Sequence, residues 1–371
     1  MAGLYVHIPF CASRCVYCGF YSTTLHDRQQ RYVDALCREM DLRRDYLHED
    51  VHTVYIGGGT PSLLTESQLQ QIFDRMDCSK AIEITMECNP DDITDEYAGV
   101  ISRLPINRVS MGAQTFNDVR LRFLRRRHNS QDISQAVERL RKAGIANISI
   151  DLMYGFPEET MSEWMCDIDN ALALGVEHLS AYCLMFEEGT PLYRMLQQGK
   201  IKELDEELCA DMYYVLIDRL AAAGYEHYEI SNFSRPNRKS LHNSSYWTAV
   251  PYLGIGAAAH SFDMKSRQWN IADIDRYMAS IERNEIPMER ETLDLDTQYN
   301  DMVMLRLRTC DGIDIDGLGG NFSQRHLEYC LKTAQPHIDN GLLERTTDNR
   351  LRLTRKGLFV CNMVMSDMMM A

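Results

Sequence analysis

The stretch LYVHIPFCASRCVYCGF, residues 4–20, joins a β-strand pattern directly to three closely spaced cysteines. Its first part, residues 4–9 (LYVHIP), is rich in β-branched and aromatic side chains, which predicts a strand. Cys11, Cys15 and Cys18 follow in the spacing CxxxCxxC. In a parallel barrel the loops that follow the strands form the active face, so we expect the three cysteines to lie there.

Short β-rich runs alternate with longer segments of helical period up to about residue 230, a pattern typical of βα units with a parallel sheet. Helices are predicted between the strands, for example at residues 28–46 and 131–143. Two further β-like runs, 225–230 and 252–255, extend the predicted sheet. The six repeated units have predicted strands at residues 4–9, 51–56, 81–87, 107–112, 147–153 and 178–184. The predicted fold class is therefore α/β: a partial (β/α)6 TIM-like barrel with extra strands, ending near residue 262.

The remaining hundred or so residues have a different pattern. Two helical stretches, 294–308 and 323–339, precede a hairpin-like segment at 341–354 (GLLERTTDNRLRLT) and a last helix. This order predicts a small C-terminal winged-helix-like α+β domain, so the expected domains are residues 1–262 and 263–371. A helical cap with no ligand of its own is the alternative for the second part.

Composition and charge exclude several classes of protein. The chain has 371 residues, 45% of them hydrophobic, and 39 Lys and Arg against 54 Asp and Glu give a formal net charge of −15. This balance disfavours a broad nucleic-acid surface, because phosphate contacts need clustered cations. The first residues lack the features of a signal peptide, and no stretch offers roughly 18 uncharged apolar residues. We therefore expect a cytoplasmic protein without a membrane span or a nucleic-acid partner.

The cysteines point to metal chemistry rather than to disulfides. In a chain without an export signal, the twelve cysteines are expected to be thiols or metal ligands. Three thiolates suit a 4Fe–4S cluster, because they leave one iron open to a chelating ligand. A tetrahedral zinc site usually has four protein ligands, and no fourth Cys or His lies at zinc-like spacing nearby. The spacing favours a cluster over zinc or incidental thiols.

A glycine run ends the second predicted strand, in VYIGGGTPS (residues 54–62). Glycine has no Cβ, so the backbone there can approach a ligand closely. A tight turn is the alternative explanation for such a run. Its predicted place on the same barrel face as the cysteines favours the ligand.

Together the two segments resemble the radical S-adenosylmethionine (SAM) superfamily, in which CxxxCxxC binds the cluster and a GGE-like segment holds the amino group of the methionine moiety. Seven further segments look like those of the oxygen-independent coproporphyrinogen III oxidase family, nearest to its heme chaperone branch. These are ECNPDD (87–92), RVSMGAQTF (108–116), LRRRH (124–128), DLMYGFP (151–157), YEISNF (228–233), HNSSYW (242–247) and YLGIGAAAHS (252–261). The resemblance runs from residue 4 to about 262 and resumes weakly in LRLTRKGL (351–358).

The resemblance implies a 4Fe–4S cluster on Cys11, Cys15 and Cys18, with SAM as the second cofactor. Glu87 and Asp151 lie at the C-terminal ends of predicted strands three and five, where carboxylates can accept hydrogen bonds from ribose hydroxyls or from the ligand's ammonium group. An arginine such as Arg126 can pair with the ligand's carboxylate. Strand-end polar residues and a solvated helix face are the alternatives for these positions. Carried over by position, the SAM contacts are Tyr5, Tyr17, Gly58, Gly59, Thr60, Glu87, Gln114, Arg126 and Asp151.

Two departures separate this chain from the oxidases of the family. The oxidases carry a further cysteine two residues after the third ligand, whereas this chain has Phe20. The long N-terminal extension of the oxidases is also not expected, because the first strand begins near Leu4. Both departures favour a heme chaperone over a coproporphyrinogen III oxidase, which is the alternative function. A tRNA-modifying member of the superfamily is a third interpretation, disfavoured by the acidic charge.

The chaperone interpretation implies that heme is bound and passed to a heme-accepting protein. In HNSSYW, His242 is the expected axial ligand of the heme iron, with Tyr246 and Trp247 beside the macrocycle. A polar surface residue is the alternative for His242, and His260 and His7 are rival ligands. The expected ligand is heme or another porphyrin. Neither productive cleavage of SAM nor the oligomeric state is predicted.

Overall fold

The six β-rich runs form parallel strands whose apolar side chains pack beneath the helices that follow them. A computed structural model describes residues 1–370 of the chain. Each strand pairs in parallel with the next along the sequence. The strands are β1 (Ala2–Ile8), β2 (Val51–Gly58), β3 (Glu83–Cys88), β4 (Arg108–Gln114), β5 (Asn147–Tyr154) and β6 (His178–Cys183).

Helices cover the outside of these strands, and side-chain caps begin several of them. Thr65, Asn129 and Thr160 each form a capping box, which satisfies free amides of the first turn. The helices are α1 (Gln29–Leu42), α2 (Glu66–Phe73), α3 (Asp95–Arg103), α4 (Asp118–Phe123), α5 (Ser130–Lys142), α6 (Met161–Leu174), α7 (Pro191–Gln197) and α8 (Glu206–Ala222).

Extra strands lengthen the sheet at both edges. They are β7 (Glu226–Glu229), β8 (Asn232–Ser234), β9 (Tyr252–Ile255), β10 (His260–Phe262), β11 (Ser266–Asn270) and β12 (Met288–Thr292), with α9 (Leu241–Trp247) and α10 (Ile274–Glu282) between them. The sheet order is β12-β11-β10-β9-β1-β2-β3-β4-β5-β6-β8-β7, and β9 pairs in parallel with β1. The predicted α/β fold with a partial six-unit barrel and extra strands is confirmed.

The sheet ends at one side in an unusually polar edge strand. Every residue of β12, with the sequence MERET, is exposed. Its neighbour β11 pairs with it in antiparallel register from Ser266 opposite Thr292 to Asn270 opposite Met288. Strand β12 therefore contributes hydrogen bonds to the sheet but no side chain to the core.

The C-terminal part forms a second α+β unit with a hydrophobic core of its own. A three-stranded antiparallel sheet in the order β13-β15-β14 packs with five helices. The elements are α11 (Leu295–Leu307), β13 (Ile313–Asp314), α12 (Ile315–Asn321), α13 (Gln324–Asp339), β14 (Leu343–Arg345), β15 (Arg350–Leu353), α14 (Arg355–Phe359) and α15 (Cys361–Met368). The buried residues of this core begin at Tyr299, whereas the main sheet continues to Thr292. The expected division at residue 262 stays a prediction.

The barrel interior is polar, and this determines where chemistry can occur. Along a strand, alternate side chains point to opposite faces. One face of β1–β6 carries apolar residues such as Val6, Ile56 and Ile150, which join the core beneath the helices. The other face lines the interior with Tyr5, His7, Thr53, Tyr55, Thr85, Glu87, Arg108, Ser110, Ser149, Asp151, His178 and Ser180. Most TIM barrels fill this space with Val, Ile and Leu, so a polar interior indicates a ligand site.

None of the helices in residues 1–370 combines the length and the hydrophobicity needed to span a bilayer.

Candidate functional site at the barrel mouth

The three cysteines lie in an irregular segment, residues 9–25, which we call the cysteine loop. It lies at the barrel mouth, the end at which β1–β6 finish. Hydrogen bonds between Cys11 N and Thr23 O (2.8 Å) and between Thr23 N and Pro9 O (2.7 Å) close the base of this loop. In its middle, the amide of the buried Val16 donates to Leu124 O (3.3 Å). The loop is therefore fixed to the barrel although it contains no regular helix or strand.

The three thiols are half-buried and contact polar groups from other loops. Thr60 Oγ1 lies 3.8 Å from Cys11 Sγ, and Arg126 Nη1 lies 3.6 Å from Cys15 Sγ. Burial raises the pKa of the Cys11 and Cys18 thiols. A bound metal would have to stabilise the thiolates, since burial alone favours the protonated form.

The three thiols are compatible with a cluster as the bound metal group. Within the described chain, residues 1–370, no three side chains of His, Cys, Asp or Glu converge on one ion position. A tetrahedral zinc ion needs its ligands to meet at one point, whereas a cube of four irons separates its three thiolate ligands. The donor set of three half-buried sulfurs at the mouth of a polar barrel is therefore compatible with a 4Fe–4S cluster.

The glycine run after β2 packs against the cysteine loop rather than lining open space. A Cβ on Gly59 would lie 2.7 Å from Phe10 O, and the Gly59 amide donates to Ile8 O (2.8 Å). Gly58 has a φ of +113°, which a residue with a Cβ rarely adopts. Close protein contacts thus explain why glycine is needed at these positions, and direct contact with SAM stays a prediction.

Glu87 and Asp151 form a pair of carboxyl groups inside the mouth. Glu87 accepts hydrogen bonds from Tyr55 Oη (2.7 Å) and from the Gly58 amide (3.0 Å). Burial, with a smaller contribution from the nearby Asp151, raises the pKa of Glu87 to about 7. Burial also raises the pKa of Asp151. Two carboxyl groups that repel each other favour a cationic ligand between them, such as an ammonium or a sulfonium group.

Arg126 lies between the cysteine loop and the end of β4. Its Nη2 donates to Gly112 O (2.6 Å) and to Asn89 Oδ1 (2.8 Å), while Nη1 faces Cys15. Asn89 Nδ2 also donates to Thr60 Oγ1 (3.3 Å), so it connects Arg126 to the threonine that contacts Cys11. The guanidinium group thus contacts a thiol of the cysteine loop directly, and its predicted pairing with a SAM carboxylate stays a prediction.

The remaining predicted SAM contacts lie on β1, on β4 and in the cysteine loop. Tyr5 shares a hydrogen bond with His7 Nδ1 (2.9 Å) and stacks on Tyr55. Gln114 ends β4 in the left-handed region, with a φ of +66° although it is not glycine. Such backbone strain is common at ligand sites. Tyr17 is half-buried in the cysteine loop, and burial raises its pKa.

His242 lies at the barrel floor, the end at which the strands begin. It is fully buried in α9, and Glu83 accepts hydrogen bonds from the amides of Leu241 (2.9 Å) and His242 (2.8 Å). Its Nδ1 bonds to Thr53 Oγ1 (2.9 Å) and its Nε2 to Tyr246 Oη (2.8 Å). Burial lowers the pKa of His242 to about 3. Both ring nitrogens are therefore engaged within the protein, and iron ligation by His242 stays a prediction.

The two rival histidines differ in whether their ring nitrogens have hydrogen-bond partners. His7 bonds to Tyr5 Oη and, through Nε2, to the carbonyl of Tyr21 (3.1 Å), and burial lowers its pKa to about 4. His260 is exposed and stacks on Trp269, with ring centroids 6.0 Å apart. In residues 1–370 its ring nitrogens have no hydrogen-bond partner. Burial lowers the pKa of His260, which favours the neutral imidazole that binds metals.

Sequence reasoning did not assign three residues that the structure brings into the site. Tyr55 and Asn89 hold Glu87 and Arg126 in place, and Arg108 lies buried in the barrel interior. The alternation of side chains along β2 and β4 could have predicted that Tyr55 and Arg108 point into the barrel, because each lies at an inward-facing position of its strand. Asn89 lies in a loop, where no periodicity shows the direction of a side chain.

Comparisons with known proteins agree with this architecture. The model of the Radical SAM superfamily matches residues 5–169, and that of the HemN C-terminal domain matches residues 293–360. Among solved structures, coproporphyrinogen III oxidase (HemN) from Escherichia coli, a radical SAM enzyme, superposes with a TM-score of 0.85 at 23% identity. The match covers 99% of this chain and 89% of that one. At this identity the structural match shows the fold alone.

Two curated relatives match along almost their whole length. Heme chaperone HemW of Lactococcus lactis is 33% identical over 365 residues, covering 97% of this chain and 95% of that protein. Heme chaperone HemW of Bacillus subtilis is 32% identical over 373 residues, covering 98% of each. Membership of the radical SAM superfamily implies a 4Fe–4S cluster and SAM as cofactors. The chain belongs to the HemW family of radical SAM proteins.

Proposed function

We propose that this chain is a heme chaperone that binds heme and delivers it to target proteins, in the manner that the names of its relatives describe. Cys11, Cys15 and Cys18 hold the 4Fe–4S cluster in this proposal. Glu87 and Asp151 receive the cationic groups of SAM, and the remaining predicted contacts surround it. The cofactor pair supplies one-electron chemistry, while the protein positions it and limits its access to water.

Phe20 is the observation that carries the proposal. It stands where the oxidases of the family carry a further cysteine, and its side chain is 73% exposed. A Cβ on Gly19 would collide with the carboxylate of Glu187, so the cysteine loop and the loop after β6 lie against each other. Met185 in that second loop is 65% exposed. Two exposed apolar side chains on adjoining loops suit a flat apolar macrocycle better than bulk water.

An anaerobic assay of the reconstituted protein tests the proposal. The protein is supplied with SAM, a reductant and coproporphyrinogen III, and in parallel with heme. We expect stoichiometric heme binding without formation of decarboxylated product. Turnover of coproporphyrinogen III would instead place the chain among the oxidases despite Phe20, and would overturn the proposal.

The heme ligand is tested by a pair of histidine substitutions. His260 is accessible and has free ring nitrogens, whereas His242 has both nitrogens engaged. We therefore expect His260→Ala to change the Soret band without changing the iron–sulfur signal. If His242→Ala changes the Soret band while the melting temperature stays constant, the ligand is His242, and α9 must move to expose it.

A further inference from the structure

A single arginine lies unpaired inside the barrel. Arg108 begins β4, and only 1% of its surface is exposed. Its Nε and Nη1 atoms are buried and have no hydrogen-bond partner. Across residues 1–370 no carboxylate lies within ion-pair distance of its guanidinium group. Burial of a charge without a partner is strongly unfavourable, so such a group usually marks a missing ligand or a bound water.

The neighbours of Arg108 on the adjoining strands also carry unsatisfied polar atoms. The strand register places Thr85 of β3 and Asn147 of β5 directly beside Arg108. Thr85 Oγ1 and Asn147 Oδ1 are both buried without a hydrogen-bond partner. Three residues that lie side by side on three strands therefore have buried polar atoms without hydrogen-bond partners. A group of this kind indicates a shared cause rather than one isolated unsatisfied side chain.

Other polar groups nearby are already satisfied by one another. His178 bonds through Nδ1 to Ser149 Oγ (2.7 Å) and through Nε2 to Tyr228 Oη (2.7 Å). Tyr55 donates to Glu87, which accepts from a backbone amide as well. The charge of Arg108 acts on both Glu87 and Asp151, which it helps to keep ionised. The guanidinium group thus has carboxylates in range but none in contact.

We propose that Arg108 is the anchor for a carboxylate of the bound ligand, and that a propionate group of a tetrapyrrole reaches it inside the barrel. The planar fork of a guanidinium matches a carboxylate with two parallel hydrogen bonds. Thr85 adds a hydroxyl donor beside it. This inference rests on the proposed function, since a heme carries propionate side chains.

The barrel mouth gives a ligand access to this interior. Tyr182, near the end of β6, is 42% exposed, and Asp151 and Glu87 are half-buried. At the floor His242 is fully buried, and Glu83, Asn147 and Leu241 line a surface pocket. A ligand bound at the mouth that extends a side chain past Glu87 and Asp151 approaches Arg108 from that end.

Heme titrations of the full chain, without SAM, test the proposal. Wild type, Arg108→Gln and the surface control Arg31→Gln are titrated with heme and with heme dimethyl ester, whose propionates carry no charge. We expect Arg108→Gln to bind heme ~10- to 100-fold more weakly. Both variants should bind the ester as wild type does. Equal affinity of wild type and Arg108→Gln for heme, or equal losses for heme and ester, would overturn the proposal.

Two further measurements separate the remaining explanations. If Arg108 only supported the fold, Arg108→Met would lower the melting temperature of the ligand-free protein. We expect this melting temperature to stay constant or rise, because the substitution removes an unpaired buried charge. A small-anion site would give a different pair of results: acetate would bind through Arg108, and Arg108→Gln would leave the heme affinity unchanged. These results would overturn the tetrapyrrole assignment. Wild type that bound no heme would refute the proposed function itself, whatever the variants did.

Discussion

The site of His242 at the barrel floor and the cysteine site at the mouth are built on the same strands but differ in how far their polar groups are satisfied. At the floor, Glu83, Thr53 and Tyr246 satisfy the amide and both ring nitrogens of His242 within the protein. At the mouth, half-buried thiols and carboxyl groups face solvent and one another.

We expect the chemistry at the cysteine site rather than at His242. The hydrogen bonds of His242 contribute to stability, whereas the repelling carboxyl groups and half-buried thiols at the mouth destabilise the ligand-free protein and leave it ready to bind. The motif HNSSYW, predicted from the sequence to be a heme site, closes the floor as helix α9. Substitutions at the mouth should therefore change binding, and substitution of His242 should change stability.

The largest expected effect is at the mouth. Substitution of Cys11, Cys15 or Cys18 with alanine should abolish the anaerobic iron–sulfur spectrum and the bound iron, because three thiolates are the only protein ligands proposed. The matched control is Cys166→Ala, since Cys166 is exposed on α6, outside the cysteine loop. An unchanged iron content per chain in any of the three variants would refute the cluster assignment.

At the floor, His242→Ala should destabilise the ligand-free protein by about 3 kcal/mol, through two lost hydrogen bonds and a cavity beside Tyr55. Urea unfolding monitored by circular dichroism measures this loss. The iron content of the reconstituted variant should equal that of wild type. A variant as stable as wild type would show that the floor is not the structural end of the barrel.

Gly59→Ala should lower both the stability and the iron content, because Gly59 packs the glycine run against the cysteine loop. The added Cβ would lie within 2.9 Å of the Ile8 and Phe10 carbonyls, which cannot move without displacing the loop. We expect a loss of about 2 kcal/mol in stability and a lower iron occupancy.

The control for this substitution is Gly144→Ala. A Cβ on Gly144 would have no heavy atom within 4 Å, but the φ of +91° strains any residue other than glycine. This variant should therefore lose stability without losing iron. Normal iron occupancy in Gly59→Ala would separate the glycine run from the cluster.

The smallest effect concerns the pH dependence at the mouth. Folding raises the pKa of the Glu87 carboxyl group to about 7. The folded protein is therefore most stable below the pKa that Glu87 has in the unfolded chain, and this stability is lost as the pH rises through 7. Relative to wild type, ligand-free Glu87→Gln should gain on the order of 2 kcal/mol between pH 5 and pH 8. Parallel stability curves for the two proteins across this range would contradict the expectation.

SAM affinity should change with pH in the opposite direction. A cationic group binds the ionised carboxylate, so wild-type affinity should rise as the pH increases through about 7, and this rise should be lost in Glu87→Gln. Equilibrium dialysis at pH 6 and pH 8 measures it.

Periodicity predicted the strands because each carries a continuous apolar face. The runs at 51–56 and 147–153, for example, fall within β2 and β5. The CxxxCxxC spacing predicted the cysteine loop because all three cysteines are close in sequence. The small C-terminal α+β unit was also predicted, from two helical periods followed by a hairpin.

Other features depend on contacts between residues far apart in the chain. Nothing local distinguishes a histidine on a surface loop from His242, which is buried through contacts with Thr53 and Glu83. The role of Gly59 likewise depends on the backbone at Ile8 and Phe10. Arg108 could be assigned to an inward position by alternation, but its lack of a partner appears only when the neighbouring strands are in place.

The exposed strand β12 also affects how the protein behaves in a crowded solution. An open sheet edge offers unpaired backbone groups on which another chain can add a strand. Glu289, Arg290 and Glu291 occupy the centre of β12, and Arg290 and Glu291 form ion pairs with Asp263 (3.2 Å) and Arg267 (2.9 Å). A strand approaching this edge would have to desolvate these charges. Strand β12 therefore protects a twelve-stranded sheet from aggregation at that edge.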